Sequence, residues 1–211
     1  MDLFGVVRNL GKDPDQTLGP LASLPLVARV AQWLAGIGRP DAVFIHIPKT
    51  AGSSVFDVLH GFGALKYRYG SEVSRSFPQR GMVSFAHMDY AGLVQGGLVS
   101  PRFDRAAFKF TFVRNPYDRA VSLYLYLRRL DLVPEETSFV EFLRELERDG
   151  CPRIGPYNYL GLSQCNPQVR WTEQVDMDFV GRFESLEEDF AELLTRLGLD
   201  PRPLPHRNPT T

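Results

Sequence analysis

The sequence predicts an α/β fold in which a mostly parallel central sheet is covered by helices on both faces. Short runs of β-branched and aromatic residues are typical of buried strands. Stretches with helix-capping residues follow these runs, and strands that alternate with helices indicate βαβ units. The composition agrees with this fold, because 211 residues with 44% hydrophobic and 23% charged side chains suit a single globular domain.

Four segments have the composition of buried strands. The first, Ala-Val-Phe-Ile-His-Ile, covers residues 42–47 and is followed by a proline. The other three are equally short and apolar, and they cover residues 82–86, 108–113 and 178–183. We expect all four in the central sheet, because continuous apolar runs fit strands that are buried on both faces.

Capping residues mark where the helices begin and end. Asn115 followed by Pro116 is a strong helix start, with asparagine as the N-cap and proline at the first helical position. Another helix should begin near Gly52. Two further helices have a capping box, a serine three residues before a glutamate, and should end at a glycine. These are Ser138 with Glu141, ending at Gly150, and Ser185 with Glu188, ending at Gly198.

Residues 1–40 are expected to form an N-terminal arm and an amphipathic helix ahead of one α/β domain over residues 41–211. Apolar residues recur at helical spacing in this region, namely Leu26, Val27, Val30, Leu34 and Ile37. The stretch is shorter and more polar than the roughly 20 apolar residues that cross a bilayer. No signal-peptide pattern precedes it, so we expect no membrane span and a cytoplasmic protein. A helix on a membrane surface is the alternative, although its polar face carries little positive charge.

Charge and cysteine content exclude several classes of protein. The chain has 24 lysines and arginines against 25 aspartates and glutamates, so its formal charge is −1. It therefore lacks the net positive charge that attracts nucleic acid without regard to sequence. A bound anion must then be held by local geometry. Cys151 and Cys165 are too few for a disulfide framework and lie in no zinc pattern. One disulfide between them stays open, while two buried thiols are the favoured interpretation.

A phosphate-binding loop is predicted where the first strand meets the first helix. Small residues occupy this turn, namely Thr50, Ala51, Gly52, Ser53 and Ser54. Backbone N–H groups can converge on an anion there, and the helix N-terminus adds a partial positive charge. Lys49 adds a full charge. An ATP-type loop is disfavoured. In such loops the lysine comes late, just before a hydroxyl residue that binds magnesium, whereas Lys49 comes before the glycine. The remaining alternative is an ordinary exposed turn.

A second anion site is predicted at the end of the 108–113 strand. Arg114 follows this strand, at the sheet edge where open α/β folds bind ligands. Ser122 lies about two turns into the helix that follows. An arginine from the strand end and a hydroxyl from the helix can hold one phosphate from two sides. The alternative is a capping segment whose arginine pairs with a neighbouring carboxylate.

Together the two motifs resemble those of sulfotransferases that use 3′-phosphoadenosine 5′-phosphosulfate (PAPS), most closely the heparan and carbohydrate branch. Residues 44–54 resemble the family's 5′-phosphosulfate loop, and residues 112–124 resemble its 3′-phosphate motif. Residues 180–190 resemble a third motif. The apolar stripe of the helix that begins there is more typical of a helix packed on the core than of a binding site. The matches run in order over about residues 42–208. The resemblance implies a P-loop-like three-layer sandwich and a soluble bacterial-type enzyme.

The resemblance also implies roles for the predicted site residues. Lys49 would contact the oxygen that bridges sulfate and phosphate, residues 50–54 would hold the 5′-phosphate, and Arg114 with Ser122 would hold the 3′-phosphate. PAPS would be the co-substrate, and no metal is needed because sulfate carries less charge than a terminal phosphate. The acceptor would be a hydroxyl or amine compound, with a carbohydrate among the options.

His87 is the predicted general base. It follows the 82–86 strand, and it matches a histidine that serves as the base in heparan sulfate relatives. An imidazole suits this task at neutral pH. A histidine that merely caps a strand end is the alternative interpretation, and Asp89 is the substitute candidate. His46 is expected to be structural, because it lies inside the first strand.

Two further functional interpretations stay open. A kinase that uses ATP would keep the fold but needs a magnesium-binding carboxylate and a late lysine. A non-catalytic nucleotide-binding relative would keep the site and lose transfer. Relatives continue with another helix after the segment that matches residues 205–208. We expect one of three outcomes for this chain: the helix is dispensable, a second copy of the chain covers the same face in a homo-oligomer, or the activity is impaired.

Overall fold

The computed structural model describes residues 40–149 and 161–205 of the chain. The expected N-terminal arm and amphipathic helix lie outside these ranges, as do Cys151 and His206. Within them, no helix is long and apolar enough to cross a membrane.

The described residues form a central sheet of five strands, all of them parallel. The strands are β1 (Ala42–Phe44), β2 (Leu65–Tyr67), β3 (Met82–Phe85), β4 (Phe108–Val113) and β5 (Phe179–Arg182). Their order across the sheet is β2-β3-β1-β4-β5. This confirms the predicted α/β class, a P-loop-like sandwich with helices on both faces of a parallel sheet.

Seven α-helices connect the strands in the described ranges. They are α1 (Gly52–Gly61), α2 (Gly70–Ser76), α3 (Tyr90–Gln95), α4 (Pro101–Ala106), α5 (Pro116–Arg129), α6 (Phe139–Asp149) and α7 (Leu186–Arg196). Short 3₁₀ turns cover Gln168–Trp171 and Phe183–Ser185. The predicted starts of α1 and α5 are confirmed, and the Asn115 side chain accepts the Tyr117 N–H at 3.0 Å.

The two faces of the sheet bury separate apolar cores. Successive strand residues point to opposite faces. Val43 therefore packs with side chains of α2, α3 and α4, whereas Phe44 packs with those of α1 and α7. A third cluster joins α5 to α6 through residues such as Leu127 and Phe142. At about 25 cal/mol per Å² of apolar surface, these cores are the main stabilising contribution to the fold.

The capping box of α6 is confirmed, and that of α7 is wrong. Ser138 donates its N–H to Glu141 at 2.8 Å and accepts the Glu141 N–H at 3.3 Å. At α7, the Ser185 hydroxyl instead donates to Asp189 at 3.0 Å. The Asp189 carboxylate also accepts the Arg182 N–H at 2.5 Å, so it fastens the end of β5 to the helix.

The first strand is shorter than predicted, and one strand was missed. β1 ends at Phe44, although the Ile45 N–H still donates to the Phe110 carbonyl at 2.9 Å. Beyond that residue the buried chain leaves the ladder and turns toward α1. The missed strand is β2, a three-residue edge strand whose Leu-Lys-Tyr sequence is too short to show alternation.

The strand order determines where a ligand can bind. From β1 the chain crosses to β2 and β3 on one side, and β4 then pairs with the other side of β1. The connections that leave β1 and β4 therefore diverge to opposite sides of the crevice between them. In open parallel sheets, ligands bind at such a switch point, outside the carboxyl ends of the strands.

Candidate functional site

A cleft of about 680 Å³ lies at this switch point. Eight of the nine predicted site residues line it, and they come from three segments far apart in the sequence. They are Lys49, Ala51, Gly52, Ser53, Ser54, His87, Arg114 and Ser122. The tertiary structure thus brings together the predicted loop, the predicted 3′-phosphate pair and the predicted base.

The loop before α1 contains two residues with a left-handed backbone conformation. Lys49 has φ 70° and Ala51 has φ 65°, in the left-handed region that costs a side-chain-bearing residue about 1 kcal/mol or more. Ala51 is the N-cap of α1 and provides no side-chain cap. No side chain therefore caps the first N–H groups of α1. These groups belong to the turn in which Gly52, Ser53 and Ser54 line the cleft.

Thr50 is the one predicted residue that does not line the cleft. Its side chain is fully buried, and its hydroxyl donates to the Ile47 carbonyl at 2.9 Å. This bond closes the turn between the strand and the helix. Thr50 therefore stabilises the loop with its side chain, and only its backbone is left to face an anion.

Gly52 is required by a close approach of His46. A Cβ atom added at Gly52 would lie 1.9 Å from His46 Nε2. The His46 ring also stacks on Phe44, with centroids 5.2 Å apart, and contacts His87 at 4.5 Å. Burial lowers the pKa of His46 well below its usual value, so the ring is neutral. Its Nδ1 atom is buried without a hydrogen-bond partner among the described residues.

Lys49 points into a cationic part of the cleft. Its Nζ atom lies 4.1 Å from the centroid of the Tyr126 ring, a cation–π distance. Burial, together with the nearby charges of Arg129 and Arg114, lowers the pKa of Lys49 to about 8. These effects disfavour the protonated form of Lys49. An anion bound between the three cations would reverse them.

Arg114 is held through its backbone, which leaves its guanidinium available. Gln168 accepts the Arg114 N–H at 2.9 Å and donates to the Arg114 carbonyl at 2.7 Å. The guanidinium lies 4.0 Å above the Phe183 ring, and its buried Nε has no hydrogen-bond partner in the described ranges. The nearby Glu184 carboxylate instead accepts the Asn115 N–H at 2.6 Å. The alternative of a carboxylate-paired arginine is therefore not supported by the described residues.

His87 lies two residues after the end of β3 and has φ 58°. Its Nδ1–H donates to the His46 carbonyl at 3.1 Å, which leaves Nε2 as the basic nitrogen. Burial lowers the pKa of His87 to about 4, although the bond to His46 opposes this shift. The ring is therefore neutral at neutral pH. The substitute candidate Asp89 does not line the cleft, and neither does His60.

Sequence reasoning missed several residues of the cleft. Tyr126 and Arg129 follow Ser122 by four and seven residues, so the helical period alone could have placed all three on one face of α5. The third motif, interpreted as core, contributes Phe183, Glu184 and the next four residues to the wall. Gln164 also lines the cleft and had no sequence signal. No group of three histidine, cysteine, aspartate or glutamate side chains in the described ranges could hold a metal.

Comparison with known proteins identifies the family of this chain. A family model described as "Sulfotransferase family" matches residues 38–211, which is most of the chain. The chain belongs to the sulfotransferase family. The chain is similar to an uncharacterised protein of Archaeoglobus fulgidus, with 36% identity over 90 residues, 43% of this chain and 67% of that protein. A crystal structure of a sulfotransferase from Alicyclobacillus acidocaldarius is 22% identical, with a TM-score of 0.48, over 80% of this chain and 85% of that chain.

Proposed function

We propose that this sulfotransferase-family chain moves a sulfuryl group from PAPS to a hydroxyl group of an acceptor. One observation carries the proposal: a single cleft is lined by two separate features that carry hydrogen-bond donors and positive charge. One feature is the loop over residues 49–54, and the other is Arg114 with Ser122. A nucleotide with phosphates at both its 5′ and 3′ ends matches two such features, whereas an ordinary ATP site needs one.

The two features fit the two ends of the proposed donor. The uncapped N-terminus of α1 and the hydroxyls of Ser53 and Ser54 can donate to a 5′-phosphate, with the helix dipole favouring negative charge. Arg114 Nε is buried and unpartnered among the described residues, so the site has a donor that a ligand can satisfy. The Ser122 hydroxyl would contribute from α5, where the residue is 8% exposed and borders the same cleft.

Lys49 would stabilise the charge that develops on the leaving group. The acceptor oxygen attacks sulfur, the bond from sulfur to the 5′-phosphate oxygen breaks, and the electron pair remains on that oxygen. The Lys49 ammonium neutralises this charge, and the products are adenosine 3′,5′-bisphosphate and the sulfated acceptor. Positioning and electrostatic stabilisation account for most of the catalysis, as in phosphoryl transfer.

His87 would take the proton of the acceptor hydroxyl at Nε2. Its hydrogen bond to the His46 carbonyl holds the ring in the required tautomer, and burial keeps it neutral and able to accept. A bound donor with several negative charges favours the imidazolium form that results. His46 also borders the cleft, but it is only 6% exposed and its Nε2 faces Gly52, so we assign it to support of the loop.

Calorimetry with adenosine 3′,5′-bisphosphate and AMP tests the donor. We expect the bisphosphate to bind at least tenfold more tightly than AMP, and Arg114→Ala to abolish this difference. Arg105→Ala, an exposed arginine on α4 outside the cleft, is the matched control. Equal affinity for the two nucleotides, or turnover of ATP that depends on magnesium, would contradict the proposal and favour a kinase.

Transfer itself is tested with labelled PAPS and a panel of hydroxylated acceptors. His87→Asn removes the base, and asparagine tolerates the left-handed backbone at this position. We expect it to lower kcat by at least 100-fold while the bisphosphate still binds, and His60→Asn to leave both unchanged. A wild-type protein that binds the nucleotide and sulfates no acceptor would instead be the non-catalytic relative.

A further inference from the structure

The segment over residues 161–171 lies along the carboxyl edge of the sheet, where it contacts the chain after β3 and after β4. Gly161 forms an antiparallel bridge with Met88, and the Leu162 N–H donates to the His87 carbonyl at 3.0 Å. The left-handed backbone of His87 costs free energy in a residue with a side chain, so it persists only where neighbouring contacts fix it. The segment provides two of these contacts.

A 3₁₀ turn at the end of this segment contacts two residues of the candidate site. Gln168 begins the turn, and its side-chain amide accepts the Arg114 N–H at 2.9 Å and donates to the Arg114 carbonyl at 2.7 Å. Trp171 ends the turn, and its ring centroid lies 6.2 Å from that of His87 at an interplanar angle of 79°. This is the edge-to-face arrangement that aromatic rings favour. One turn therefore contacts both the predicted base and the predicted 3′-phosphate arginine.

The geometry of the turn explains how it can contact both residues. In a 3₁₀ helix, side chains three residues apart lie on the same face, and each residue rises about 2 Å. Gln168 and Trp171 therefore share a face, with backbones about 6 Å apart. Their partners follow β4 and β3, which flank β1 and lie about 10 Å apart at the usual strand spacing. Two side chains that diverge from the turn can span this distance.

Trp171 occupies its position at a cost in free energy. It is 3% exposed and belongs to the core cluster that contains Phe85 and Tyr90. Its Nε1–H group is buried without a hydrogen-bond partner among the described residues, which is unfavourable. A phenylalanine would fill an apolar core without this cost. The contact with His87 therefore explains the tryptophan better than core packing alone.

We propose that this turn positions the base and the donor site through one residue each. Trp171 fixes the ring of His87, which the His46 carbonyl also holds at Nδ1. Gln168 fixes the backbone of Arg114, and with it the origin of the guanidinium that meets the 3′-phosphate. This inference rests on the proposed function for the roles of His87 and Arg114. A shared support is useful because misplacement of a reacting group by 1 Å can lower a rate by about 100-fold.

Trp171→Phe and Trp171→Leu test the contact with the base. Trp171 covers part of the His87 ring, and burial is the largest cause of its lowered pKa. The charges of Lys66 and Arg68 also lower this pKa and the hydrogen bond to His46 raises it, but the variants change none of these groups. NMR titration of the His87 imidazole, in the full chain without nucleotide or acceptor, measures the effect. We expect the pKa of His87 to rise by about half a pH unit in Trp171→Phe and by about one or more in Trp171→Leu.

The two kinetic readouts should separate in the Trp171 variants. With labelled PAPS, we expect Trp171→Leu to lower kcat by about tenfold, because the base is less well aligned. The affinity for adenosine 3′,5′-bisphosphate should stay within about twofold of wild type, because Gln168 and Arg114 are unchanged.

Gln168→Met tests the contact with the donor site. Methionine has a similar length but makes neither hydrogen bond to Arg114, so adenosine 3′,5′-bisphosphate should bind about tenfold more weakly. AMP affinity should change by less than about twofold, because AMP has no 3′-phosphate. The pKa of His87 should equal that of wild type. Val169→Ala is the matched control: Val169 lies in the same turn and is 56% exposed, and its variant should change neither the pKa nor the affinity.

Either of two results would overturn the inference. One is a pKa of His87 that is the same in wild type and in the Trp171 variants. If Trp171→Leu does not fold, Trp171→Phe decides, because it removes the unpaired N–H and keeps most of the apolar volume. The other is a Gln168→Met protein that retains the wild-type preference for the bisphosphate over AMP. Failure of the wild-type protein to bind the bisphosphate would instead contradict the proposed function, and the titration of His87, which needs no nucleotide, distinguishes the two failures.

Discussion

The buried guanidinium of Arg119 holds the main chain immediately before Lys49. Its Nε donates to the Pro48 carbonyl at 3.0 Å, and its other nitrogens donate to the Gln164 and Asn166 carbonyls at 2.8 and 3.2 Å. Arg119 is 7% exposed, and burial lowers the pKa of its guanidinium. One side chain of α5 thus connects the loop before α1 to a wall residue of the cleft, and acts as a positioning residue for both.

We expect Arg119→Lys to lower the free energy of unfolding by about 2–4 kcal/mol. Lysine keeps the charge but cannot reach three carbonyls in different directions, and a hydrogen bond to a charged group contributes about 1.5–3 kcal/mol. The affinity for adenosine 3′,5′-bisphosphate should fall as well, because the loop loses the hydrogen bond from Arg119 to the Pro48 carbonyl. Chemical denaturation and calorimetry measure the two effects, with Arg128→Lys as the control. Loss of stability with unchanged nucleotide affinity would contradict the positioning role.

Gly52→Ala should destabilise the protein by about 3 kcal/mol or more, because the new methyl group would overlap the His46 ring. Gly61→Ala, in the same helix, is the control, since its Cβ would meet only the tip of the flexible Arg202 side chain. The double variant Gly52→Ala with His46→Ala should recover most of the lost stability. Thermal and denaturant unfolding of the four proteins measure this, and a double variant as unstable as Gly52→Ala would rule out the steric explanation.

The pH dependence of kcat/KM should show limbs near 4 and near 8. His87 must be unprotonated to accept a proton, and burial lowers its pKa to about 4, so activity should fall below that pH. Lys49 must be protonated to stabilise the leaving oxygen, and its pKa is about 8, so activity should fall above that pH. The limbs belong to the free enzyme. Bound donor favours both cations, so the corresponding limbs of kcat should lie at higher pH.

The Lys49→Arg variant tests whether titration of Lys49 causes the alkaline limb. Arginine stays charged throughout this range, so the fall above pH 8 should disappear even where the overall rate is lower. Circular dichroism across the same pH range checks that the protein remains folded. An alkaline limb that persists in Lys49→Arg would show that another group titrates, and would remove the assigned role of Lys49.

The Ser122→Ala variant should weaken only the binding of the 3′-phosphate. We expect it to weaken adenosine 3′,5′-bisphosphate binding by about tenfold and AMP binding by less than twofold, because only the first nucleotide has a 3′-phosphate. Ser54→Ala in the loop should weaken both nucleotides equally and serves as the comparison. Equal losses for the two nucleotides in Ser122→Ala would place Ser122 elsewhere in the site.

Much of the fold could be predicted because its signals are local. The strand runs, the Asn115-Pro116 helix start and Gly52 at the start of α1 each predict the local backbone from a few neighbouring residues. The shared edge of the sheet then follows from parallel topology, so the loop and Arg114 could be expected in one crevice. The short edge strand β2 was missed since three residues show no period.

Residue types, spacing and the family resemblance thus predicted which side chains could contact a nucleotide with phosphates at both its 5′ and 3′ ends. Tertiary packing decided how each is used: Thr50 turns inward to close the loop, Arg114 remains without a carboxylate partner among the described residues, and Arg129 lies beside Lys49. The physical reason is that capping and strand patterns depend on neighbours in sequence. Desolvation, charge pairing and cleft walls depend on groups far away in the chain, such as Pro48 and Arg119 at a separation of 71 residues.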